Sequence, residues 1–165
     1  MHFIKLIIIL LLTYSLQTHA SSLAEDAKDR GINKTCYEYL DQVEKAYRLN
    51  GLNLTYAHPD APSKFSSLHI TSQKYNNGAS SFASTLIPDE EYCYISTVLV
   101  TSINNQSCSN IATIKAENEN LQLSRYADGD FIILTPGDNS YQIIMTSAGE
   151  NACTMTETRM MWPGR

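Results

Sequence analysis

Beyond residue 20, two histidines, four cysteines and a few clustered carboxylates are the side chains best suited to chemistry. A Ser–His–acid or Cys–His device needs a base within reach of its nucleophile and a third group to orient that base. His58 stands in a proline-flanked stretch, His58-Pro59-Asp60-Ala61-Pro62, with Asp60 two residues on. His69 stands among serines in a strand-like run. They read as a loop histidine and a strand-surface histidine. No Gly-x-Ser-x-Gly elbow occurs, and no catalytic residue is assigned.

The cysteines are Cys36, Cys93, Cys108 and Cys153. Metal binding needs close ligand pairs such as Cys-x-x-Cys, which are absent, so no metal or cofactor is expected. An even count in an exported chain points to two disulfides. Three connectivities are open. The preferred one joins Cys36 to Cys153 and Cys93 to Cys108, tying an N-terminal helix to the last strand. Acidic clusters occur at Asp128-Gly129-Asp130, at Asp138-Asn139 and at Glu117 and Glu119, all read as turns. Turn tips need Asp, Gly and Asn for backbone shape alone, and no calcium-loop pattern is met.

The export reading rests on residues 1–20. Met1 to Lys5 is a short basic start, Leu6 to Leu12 an unbroken apolar run, and Gln17-Thr18-His19-Ala20 a small-residue cleavage site before Ser21. The run falls short of the roughly 20 apolar residues that span a bilayer. Cleavage there leaves 145 residues with 11 basic and 17 acidic side chains, a balance of −6. One domain of this size buries a sizeable core. Its mild acidity and scattered Lys and Arg argue against nucleic acid, and after signal cleavage no stable membrane insertion is expected. Secreted or periplasmic placement follows.

The elements that position these residues read as α+β. Residues 21–34 read as a loose leader or frayed helix, and 35–165 as a single domain. Thr35 with Glu38 fits a capping box. Cys36, Leu40, Val43 and Tyr47 then recur on one helical face, with Gly51 as the terminating glycine. The expectation is an amphipathic helix packed on an antiparallel meander of about six to eight strands, disulfide-braced. Asn50 to Lys64 reads as a connection, because Pro59 and Pro62 stop a helix. Strands are expected over 65–75, 79–87, 92–101, 111–116 (or a short helix there), 121–126, 131–135, 141–147 and 152–162, with a turn at Asn76-Asn77-Gly78. The runs Ile132-Ile133-Leu134 and Ile143-Ile144-Met145 suggest strands covered on both faces. No internal repeat is visible.

Nine of the ten tyrosines lie beyond residue 20. Tyr92 and Tyr94 share a strand face with Val98 and Val100. Rigid amphipathic rings are enriched in binding surfaces, so Tyr92 and Tyr94, with Asp128 and Asp130 at a turn, are the candidate binding residues. Asn33, Asn53 and Asn105 each head a glycosylation sequon. The resulting expectation is an exported, non-catalytic protein-binding module (an inhibitor, an immunity-like protein or an envelope interaction protein) whose partner is another protein. The alternatives are a small secreted hydrolase using carboxylates or His58, and a surface subunit that self-assembles through a strand edge.

Overall fold

The computed structural model describes residues 21–161. The export signal expected at 1–20 and the tail Trp162-Pro163-Gly164-Arg165 lie outside the described residues. The fold is α+β. Helices α1 (Leu23–Asp29), α2 (Lys34–Tyr47) and α3 (Cys108–Glu119) accompany eight strands: β1 (Leu52–Tyr56), β2 (Ser67–Tyr75), β3 (Gly78–Asp89), β4 (Tyr92–Asn104), β5 (Gln122–Tyr126), β6 (Phe131–Thr135), β7 (Tyr141–Ser147) and β8 (Ala152–Met161). All pair antiparallel in one sheet of order β1-β2-β3-β4-β8-β7-β6-β5.

That order reads the same from both ends. A helix followed by a four-strand meander occurs twice, and the two meanders join along β4 and β8. The halves match in detail. Asn33 and Ser107 cap α2 and α3 by accepting backbone N–H groups. Arg48 and Asn120 end them in the left-handed conformation. The next residue in each half, Leu49 or Leu121, is buried, and its N–H returns to the carbonyl five residues back. The β4–β8 register pairs Val98 with Thr158, five residues beyond Cys93 and Cys153 respectively, so an approximate two-fold axis passes through that pair. The repeat is architectural; the residue types that fill it differ enough to hide it in the sequence.

Both disulfides obey the repeat. Cys36 in the first turn of α2 bonds Cys93, the second residue of β4; Cys108 at the start of α3 bonds Cys153, the second residue of β8. The expected Cys36–Cys153 and Cys93–Cys108 pairing is therefore wrong. The reason is packing: α2 lies on β3 and β4, whereas α3 lies on β5 to β8, so each helix meets the last strand of its own half. Two cores result, one around Leu23, Leu40, Phe82, Leu86 and Ile95, the other around Ile132, Leu134, Ile143 and Met145.

Further corrections follow from local chemistry. The segment read as a loose leader or frayed helix contains α1, a capped helix that buries Leu23 and Ala27. Its N-terminus is fully partnered: Ser22 and Glu25 form a reciprocal capping box, and the buried Glu44 carboxylate of α2 accepts from the N–H groups of Leu23 (2.8 Å) and Ala24 (3.1 Å). An anion at a helix N-terminus also suits the helix dipole. The cap of α2 is Asn33 rather than Thr35, and the left-handed residue is Arg48 rather than Gly51. Gly51 instead allows close approach of β2, since a Cβ there would collide with the Ser72 carbonyl. Leu52-Asn53-Leu54-Thr55-Tyr56, read as part of a connection, is edge strand β1, and residues 111–116 lie in α3, so a helix interrupts the meander. Glu117 and Glu119 sit on that helix, not on a turn.

Candidate functional site

Strand pleating divides the sheet residues into two sets. One set faces the helices and supplies every buried strand residue, including Cys93, Ile95 and Thr97 on β4. The other set has no helix over it, and none of its members is buried. The runs Ile132-Ile133-Leu134 and Ile143-Ile144-Met145 obey the same rule: Ile132, Leu134, Ile143 and Met145 are buried, while Ile133 and Ile144 turn to the helix-free side. Those strands are thus covered on one face, not two.

The helix-free face crosses all eight strands. One row runs Leu54, Ile70, Ala83, Val98, Thr158, Gln142 from β1 to β7. Val98, Ile144, Met160 and Ile87 are exposed, and Thr154, Thr156 and Thr158 line β8 between them. Of the strand residues with this parity, only Lys74 and Asp89 carry charge. They lie at opposite ends: Lys74 is level with Ser102, and Asp89 pairs with Tyr92. Two shallow hollows open on this side, one bordered by Ser96, Val98, Thr158 and Met160, the other by Leu52, Ser72, Ala79 and Val100. Exposed apolar side chains thus alternate with hydroxyls across the face, with little charge among them.

Tyr92 and Tyr94 both belong to the helix-free face, at its Asp89 end, and Tyr92 is half exposed. Asp128 and Asp130 are exposed at the β5–β6 turn. The structure does not bring the two pairs together. Phe131 is level with Thr146, Thr154 and Ser102, ten residues along β4 from Tyr92, or roughly 33 Å. The turn carries positive φ at Ala127 and Asp128, and the Asp130 N–H donates to the Ala127 carbonyl, so its acids shape the chain reversal. Sequence reading put Val98 on the tyrosine face but missed what surrounds it there, Ile144, Met160 and Thr158. The available signal was the near absence of charge from one strand parity.

The histidines are held structurally. His69 is fully buried beneath the helices, not on a strand surface. Its Nε2 lies 2.8 Å from Ser67 Oγ and its Nδ1 3.1 Å from Thr55 Oγ1, so both ring nitrogens have hydroxyl partners. Burial pushes its pKa down to about 4, keeping the ring neutral at pH 7. A serine and a histidine are in hydrogen-bond contact, yet no carboxylate orients the ring and no substrate reaches it. In the loop, His58 Nδ1 accepts from the N–H groups of Asp60 and Ala61 while the ring stacks on Phe65 at 4.5 Å.

A polar chain crosses the helix side at the seam. Tyr47 of α2 donates to Glu157 (2.7 Å), Glu157 also accepts from Arg159 (3.3 Å), and the Arg159 guanidinium lies over the Tyr141 ring (4.6 Å). Tyr141 in turn donates to Glu119 of α3. Burial, aided by Glu157, pushes Tyr47 up to about 12, so its phenol stays a donor. Arg159 balances Glu157, Lys115 balances Glu119 (2.6 Å), and the chain stitches the two halves together.

All four cysteines are oxidised. Among the described residues no group of three or more His, Cys, Asp or Glu side chains is placed to hold a metal, and no helix is long and apolar enough to cross a membrane. Compared with known protein families, with curated proteins and with solved structures, the chain matches none.

Proposed function

We propose that this is an exported, non-catalytic protein-binding module that docks through the helix-free face of its sheet. The carrying observation is the composition of that face: eight strands wide, apolar and hydroxyl-bearing, with charge among its strand residues only at Lys74 and Asp89, and Asp138 on a loop beside one hollow. An uncharged centre bordered by tyrosine is the composition of a protein interface core. Two disulfides in 141 described residues suit an oxidising compartment, and the apolar start at 6–12 supplies the route there. A hydrolase reading gains little from the histidines: both ring nitrogens of His69 and Nδ1 of His58 already serve the fold.

The test compares wild-type protein with Val98→Glu as bait in the extract of its own source. Val98 is 38% exposed, so the substitution leaves the core intact. Wild-type bait retains a protein that the variant loses. Equal retention by both, or retention of nothing by wild type, overturns the reading.

A further inference from the structure

We infer that the protein taken by the helix-free face is a second copy of this chain, seated face to face as an isologous sandwich. This inference rests on the docking surface proposed above and names its occupant.

Area is the first argument. Strands β1, β2, β3, β4 and β8 extend to both sides of the Val98–Thr158 row; they span roughly 24 Å across, and the parts that overlap after rotation average roughly 28 Å in length. Such a face offers roughly 700 Å² per copy, so a sandwich buries roughly 1,400 Å² in all, within the range of stable interfaces.

Charge is the second. The chain beyond residue 20 carries a balance of −6, so most approaches between two copies set like charges together. The helix-free face is the broad surface where two copies meet without that repulsion. Its two charges go further. Rotate one copy about an axis lying across the strands, near the Val98–Thr158 row, and the ends of the sheet exchange. Lys74 of each copy then comes to the Asp89 end of the other, and β2 and β3, which carry them, are neighbours. The symmetry makes this approach twice, Lys74 to Asp89 in each direction. The uncharged row from Leu54 to Gln142 lies along the axis and packs against itself, with the sheets about 10 Å apart.

Sedimentation of the mature protein over a concentration series tests this. Wild type is dimeric at micromolar concentration. Val98→Glu and Val98→Lys each place two like charges on the axis and weaken dimerisation by about 100-fold or more. Mixing the two variants restores a dimer, a result that misfolding does not give. Lys74→Glu and Asp89→Lys each weaken the dimer, and the double variant recovers it. A wild type that stays monomeric at 100-fold higher concentration (about 0.1 mM), or variants that dimerise unchanged, overturns the inference. The bait comparison separates the two readings: a monomer whose other partner is lost on Val98→Glu keeps the docking surface and removes only the second copy.

Discussion

At the scale of single residues, two buried polar groups set how this fold responds to conditions. His69 is neutral in the folded protein, with a pKa near 4 against 6.5 when unfolded. Between these values the unfolded chain binds the extra proton, so stability is full above pH 6.5 and falls as pH drops towards 4, by about 3 kcal/mol. Urea unfolding at pH 7 and pH 4.5 measures this; His69→Gln flattens the difference between the two. Glu44 holds two amides at the start of α1. Glu44→Ala strands both in the interior and lowers stability by about 2 kcal/mol or more. Hydrogen exchange at Leu23 and Ala24 rises far more than exchange in β4. Neither role was legible beforehand. A strand histidine among serines has the same local pattern whether it faces water or a helix, and Glu44 looks like one more charge on a helix. Gly78 shows the same limit. Asn-Asn-Gly correctly marks a hairpin, yet Gly78 does not use positive φ; its lack of a side chain leaves room for the Ser102 carbonyl.

At the scale of elements, turn residues and strand patterning are local signals, and they located β2 to β8 closely except where α3 intervenes. Edge strand β1 was hidden because prolines 59 and 62 drew its surroundings into one loop. Helix α3 was legible only as the short-helix alternative over 111–116, because it buries only Cys108 and Ala112, too narrow a stripe to decide the period. Disulfide pairing depends on which helix lies over which strand, and no local signal carries that. Non-reducing peptide mapping returns Cys36 with Cys93 and Cys108 with Cys153. The bridged residues are 57 and 45 apart, so by chain entropy each bridge stabilises by about 4 kcal/mol. A Cys36→Ala, Cys93→Ala double variant therefore melts many degrees lower, measurable by calorimetry.

At the scale of the whole molecule, the pairing of β4 with β8 is what makes one sheet from two meanders. It joins residues about 57 positions apart on average, which no turn encodes, so the palindromic strand order could not be read from the chain. The candidate site suffered for the same reason. Tyr92 and Tyr94 sit on the face, but its centre is assembled from β4, β8 and β7 and exists only once the seam closes. Neither covalent bridge crosses that seam, and only Asn105, Gln106 and Ser107 run between the end of β4 and the start of α3. A single proteolytic nick in this tripeptide consequently yields two separately cross-linked fragments. They stay together in native buffer and come apart in urea without any reductant. Mixing them afresh by dilution rebuilds the complete sheet, which makes the chain a natural candidate for a split-reporter scaffold.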